Sequence, residues 1–95
     1  MKINCLVQMI EKEQIQFLNF PQKEVLHNKQ DKSDRCIDLK RAMSLGNLEQ
    51  EKVNIVFADD QGAKKVETTV WGVTSKSVIL KQSMVIPLER IISVN

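Results

Sequence analysis

The sequence predicts a mainly β fold: a small five-stranded antiparallel barrel preceded by a short α-helix, with an N-terminal extension that is helical or a hairpin. Three observations predict it. The apolar period changes from 3.6 to 2 at Lys52. Tight-turn residues then recur at short intervals up to the last residue, Asn95. Gly72 interrupts the longest β-branched run, where a tightly curved sheet needs a bend.

The opening segment, Ile3–Phe20, supports two readings. Ile3, Leu6, Val7, Ile10, Phe17 and Leu18 fall on one helical face. Ile3, Cys5, Val7 and Met9 also alternate, which suits a hairpin turning at Glu11–Gln14. Glu, Lys and Gln in the middle, with no Gly or Asn to make a tight turn, favour the helix. Pro21 ends the segment in either case. Residues 1–27 are thus an extension, 28–34 a polar exposed linker, and 35–95 the helix-plus-barrel domain.

Ser33 or Asp34 is a suitable N-cap, and Cys36, Leu39, Ala42 and Met43 follow at helical spacing. Gly46 is suited to the left-handed residue that ends a helix. The expected helix therefore runs from near Arg35 to Leu45. In the first strand Val53, Ile55 and Phe57 face inward. Asp59-Asp60-Gln61-Gly62 turns the chain. Lys65–Thr74 is a long strand bent at Gly72, with Val66, Thr68 and Val70 inward and Glu67, Thr69, Trp71 and Val73 outward. Ser77–Lys81 and Met84–Ile86 follow. Pro87-Leu88-Glu89-Arg90 suits one 3₁₀ turn, and Ile91–Val94 is the last strand. Curling the sheet hides edges that an open sheet would expose.

The order helix, strand, Asp-Gly-containing turn, long bent strand, short strands and Ile86-Pro87-Leu88-Glu89-Arg90-Ile91 resembles the SH3/Sm-like small barrels. The layout is also similar to the small bacterial inhibitors of the Rho terminator. Asp38–Leu48 followed by Val66-Glu67-Thr68-Thr69-Val70-Trp71 resembles a family of short uncharacterised bacterial proteins. These likenesses cover 36–95 at most. They imply a fold and leave the function to be argued from the residues.

Composition narrows that function. Hydrophobic residues make up 42% and charged residues 27%, an ordinary globular balance. The net charge of +2 is smaller than the basic excess of dedicated nucleic-acid binders. No apolar run reaches the roughly 20 residues of a membrane span, and the start lacks a small-residue cleavage site. The expected location is cytoplasmic, with Cys5 and Cys36 as buried reduced thiols.

Chemistry-bearing constellations are sparse. His27 is the sole histidine and has no ligand spacing with the cysteines, so no metal site is expected. Neither a nucleophile–base pair nor a phosphate-binding glycine loop is present, so no enzyme and no cofactor are expected. Asp59 and Asp60 read as turn and solvation residues. The remaining ligand-binding candidates are Trp71, Lys64, Lys65, Lys76 and Lys81. An outward Trp71 would stack a base or anchor a peptide. The more economical reading has it covered by the helix or the N-terminal segment. The lysines read more simply as a solvated surface.

The expected function is a non-catalytic, regulatory binding module for RNA, DNA or a component of the transcription or translation machinery. The alternative is a protein-interaction or self-assembly module, homo-oligomeric through barrel edge strands or the N-terminal segment.

Overall fold

The computed structural model describes residues 7–95. The elements are β1 (Gln8–Met9), a 3₁₀ turn (Lys12–Phe17), α1 (Lys29–Glu49), β2 (Val53–Ala58), β3 (Ala63–Thr68), β4 (Val70–Val73), β5 (Ser77–Leu80), a 3₁₀ turn (Lys81–Ser83), β6 (Val85–Pro87), a 3₁₀ turn (Leu88–Arg90) and β7 (Ile91–Val94). They form a four-stranded sheet in the order β1-β3-β2-β7 and a three-stranded sheet in the order β4-β5-β6.

The mainly β expectation is corrected in two respects. A helix of 21 residues makes the fold mixed. The strands form two sheets and not a closed barrel, because β6 and β7 share no ladder. The Leu88–Arg90 turn lies between them and delivers β7 to the free edge of β2.

The strand region otherwise follows the period-2 pattern. Val53, Ile55 and Phe57 are buried along β2, as are Val66, Thr68 and Val70 along β3 and β4. The turn after β2 is built by Asp59, whose Oδ1 accepts hydrogen bonds from the Gln61 and Gly62 N–H groups at 2.8 and 2.9 Å. Gly62 takes φ 141°, a conformation open to glycine. The expected long strand divides at Thr69, where the chain crosses from one sheet to the other. The register then slips between Val70 and Gly72, so Trp71 is the extra residue of a bulge beside the expected bend.

α1 begins before and ends after its expected limits. Asn28 is the N-cap, its side chain accepting from the Gln30 N–H at 2.7 Å. Most of the expected linker is therefore helix. Its polar residues face solvent, which removes the apolar signal without removing the helix. The buried stripe is Arg35, Leu39, Ala42 and Gly46. Cys36, expected buried, is exposed because it lies one position off that stripe. Cys5 lies outside the described residues.

Gly46 does not end the helix. A Cβ there would lie 2.3 Å from the Val70 carbonyl oxygen, so the glycine permits close approach of α1 to β4. The left-handed residue is Gln50, at φ 55°, whose N–H donates to the Gly46 and Leu45 carbonyls.

In the described part of the opening segment, neither an α-helix nor a hairpin forms. β1 pairs in parallel with β3, and the Ile10 N–H donates to the Lys65 carbonyl at 2.9 Å. The 3₁₀ turn then inserts Ile15 into the core. Ile10 and Ile15 share one apolar cluster with Leu39, Phe57, Val78 and Ile86. Phe20 packs on Phe57 with ring centroids 5.9 Å apart.

Two buried arginines fasten these layers. Arg35 makes paired hydrogen bonds to Glu24, both at 2.8 Å, and one to the Ile91 carbonyl at 3.0 Å. Arg90 donates to the carbonyls of Ala58, Asp59 and Lys23. Hydrogen bonding from Arg35 holds the Glu24 carboxyl down at about 2, below its ordinary 4.5.

Gly46→Ala should destabilise the chain by about 1–3 kcal/mol through overpacking against β4, read as a lower urea midpoint. An unchanged midpoint would show that α1 can move aside. Glu24 makes a second, pH-dependent prediction. Its folded value is depressed, so its contribution is complete above about pH 4.5 and fades as the pH falls toward 2. Solvent reaches the pair, so that contribution should be on the order of 2 kcal/mol. Glu24→Gln should lose it at neutral pH and flatten the stability profile over that window. Equal slopes for both proteins would contradict the assignment.

Candidate functional site

The end of α1 and the crossing between the sheets form a shallow concavity of about 470 Å³. Gly46 and Asn47 come from the last turns of α1, and Gln50 is its left-handed cap. Thr69 and Trp71 come from the crossing and the bulge, and Lys81 follows β5. The Lys81 N–H donates to the Thr69 carbonyl at 3.0 Å, which fixes the two walls to each other.

Trp71 is 48% exposed, so the covered tryptophan expected from sequence is corrected. The bulge gives the physical reason. Thr69 and Val70 are both buried, and the following residue is turned outward. The α1 end borders the indole at Asn47 and Gln50 without covering it. The site thus offers an aromatic face, two exposed side-chain amides and one exposed ammonium.

A second, smaller groove of about 210 Å³ shares Thr69 and Lys81 with the first. Lys12, Lys52 and Glu67 also line it. Lys12 is engaged with Glu13 at 3.1 Å, whereas Lys52 is exposed. Thr68 lies in this wall, and its buried hydroxyl has no hydrogen-bond partner among the described residues.

The other predicted site residues are not brought to Trp71. The Lys64 ammonium lies 3.1 Å from Asp59 Oδ2 and its side chain is only 12% exposed, so its charge is engaged. Burial raises the Asp59 carboxyl. Hydrogen bonds from the Gln61 N–H and the Lys64 ammonium outweigh that, and the net value is lowered. Asp59 is therefore a buried turn-builder, and Asp60 beside it is exposed. Lys65 is half-buried beside β1. Lys76 is exposed in the turn between β4 and β5, held by Thr74 Oγ1 accepting from the Lys76 and Ser77 N–H groups. Of the five candidates, Trp71 and Lys81 share one concavity.

Asn47, Gln50 and Thr69 were not legible as site residues. Gly46-Asn47 reads as a helix stop, and only the continuation of α1 brings these residues beside the indole. His27 is exposed. Among the described residues, no group of three or more His, Cys, Asp and Glu side chains converges as a metal site would require. Nor is any helix among them long and apolar enough to cross a membrane. No protein-family model, curated protein or solved structure matches the chain.

Trp71 is the sole tryptophan, so intrinsic fluorescence reports on this site alone. Its exposure predicts ready quenching by acrylamide in the folded protein, approaching the rate of the urea-unfolded chain. Strong protection from acrylamide would place the indole under cover and remove the platform.

Proposed function

We propose that the chain is a non-catalytic module that binds single-stranded nucleic acid across the Trp71 concavity. The observation that carries this reading is the half-exposed indole beside Asn47, Gln50 and Lys81. A base stacks on an aromatic face with little regard to sequence. Side-chain amides can pair with base edges, and an ammonium can meet a phosphate. Single strands expose base faces that a duplex hides, so the geometry favours them.

The fold supports this reading at a coarser level. Taking β3 and β4 as one bent strand, the ladder order is β7-β2-β3/β4-β5-β6. That order suits a small SH3/Sm-like barrel left open between its first and last members. A regulatory role in the cytoplasm, next to RNA or the transcription or translation machinery, is part of the same proposal. A second reading, binding of a protein partner or self-assembly, is favoured by Phe17 and Leu48, which are 78% and 83% exposed.

The test is fluorescence anisotropy of an end-labelled, mixed-sequence RNA octamer at low salt. Trp71→Ala should weaken binding by about 5- to 150-fold, the effect of losing one stacked base. Lys81→Glu should weaken it less and reduce the salt slope by about 0.7, one single-strand phosphate contact. Equal binding of a duplex, or an affinity insensitive to Trp71→Ala, would sink the stacking site and favour the protein-partner reading.

A further inference from the structure

Nearer the start of α1, a cleft of about 310 Å³ opens between the helix and the β4 end of the second sheet. Leu39, Met43, Val73 and Leu88 supply an apolar floor and walls. Lys32, Cys36 and Lys40 form its rim, spaced four residues apart on one ridge of α1. No acidic residue is among those that line it. Arg35 also borders the cleft, but its guanidinium is engaged with Glu24 and the Ile91 carbonyl. Two exposed ammonium groups therefore stand over an apolar space with no acid lining it. Lys32 also feels the Glu24 carboxylate outside the cleft, which Arg35 already engages, and Lys40 stands free of that pair.

We infer that this cleft binds a short aliphatic carboxylate, a free fatty acid of about six to eight carbons. The volume sets the chain length. It equals roughly ten water volumes at about 30 Å³ each, enough to bury such a chain, whereas the further carbons of a longer one would project into solvent and gain nothing. The rim sets the headgroup. Lysine stems cover apolar surface while their ammonium groups stay in water, where a carboxylate would meet them. The occupant is thus apolar at one end and anionic at the other. This inference stands apart from nucleic-acid binding, because it uses none of the residues around Trp71.

Cys36 provides the readout, since its exposed thiol lies on the rim. In a Cys5→Ser chain it is the only thiol. Sodium octanoate should slow alkylation of Cys36 by iodoacetamide and shift the NMR methyl signals of Leu39, Met43, Val73 and Leu88. Butyrate, four methylenes shorter, should bind about 250-fold more weakly, at roughly fourfold per methylene lost. Octanol should bind less tightly than octanoate. The exposed double variant Lys32→Glu/Lys40→Glu should erase that difference while keeping the chain folded. The inference is overturned if millimolar octanoate gives no protection, or if octanol and octanoate bind equally. It is also overturned if Cys36 becomes protected with rising protein concentration alone, which would assign the cleft to a second copy of the chain.

Discussion

With only hydrogen on its α-carbon, Gly46 lets α1 lie against the Val70 carbonyl, and the Trp71 concavity follows from that approach. A helix held one side chain farther away would leave Thr69 wet and would move Asn47 and Gln50 off the indole. Thr69 sits where the chain crosses between sheets, a point at which neither ladder is continuous. Covering it with a helix shields backbone that an open crossing would expose to solvent. The glycine sits in a helix interior, where it costs about 1 kcal/mol relative to alanine. Packing along the Leu39 and Ala42 stripe offsets that cost.

The two buried arginines act nearer the start of the same helix face, where Arg35 continues the buried stripe, and on the chain before it. Arg35 carries its charge into the packing and finds a carboxylate there, so the pair is neutral. Arg90 finds only carbonyls: those of Ala58, Asp59 and Lys23. A guanidinium suits that task because its donors fan out in one plane and it keeps its charge. Removing one partner of such a group strands the other in the packing, which is why each arginine holds its partners in one place. Here they fix where the segment before α1 must lie. That segment then supplies Phe20 to the core against Phe57.

The strands were legible because half-buried strands alternate, and Val53-Asn54-Ile55-Val56-Phe57 states that alternation openly. The last strand, Ile91–Val94, does not alternate, with Ile91 and Val94 buried and Ile92 exposed; it is legible only as the short apolar run after the Pro87 turn. Residues 29–34 were missed as helix because a solvent-facing turn needs no apolar residue. The cues that remained, Asn28 as cap and a Gln30–Asp34 pair, are as common in loops. The opening segment failed differently. A two-residue parallel strand has too few positions to show any period, and its pairing with β3 is set by tertiary contact. At the site, strict alternation correctly places Trp71 outward but wrongly leaves Thr69 wet, because Thr69 stands at the crossing between the sheets and α1, brought close at Gly46, covers it. Lys64 reads from sequence as a solvated lysine whose field Asp59 and Asp60 partly cancel from the same turn; what the sequence does not show is that the turn buries Asp59 and most of the Lys64 side chain with it.

A bulge is also what makes the Trp71 surface suited to binding. The residues on either side of the indole are paired with β5, Val70 with Leu80 and Gly72 with Ile79, so the ring projects from fixed backbone. Lys81 is tied to Thr69, and Gln50 to the end of α1. These are backbone bonds, so the frame of the concavity is preset while the exposed Asn47, Gln50 and Lys81 side chains would still have to be ordered by a ligand. The net charge of +2 is too low for counterion release to dominate an encounter with phosphates. Affinity at such a face must come mainly from stacking and from the amides beside it. A duplex hides its base faces and offers chiefly phosphates, so it engages the weakest part of this surface. Under the proposed function a single strand would engage instead the indole, which projects from the part of the backbone the ladder fixes.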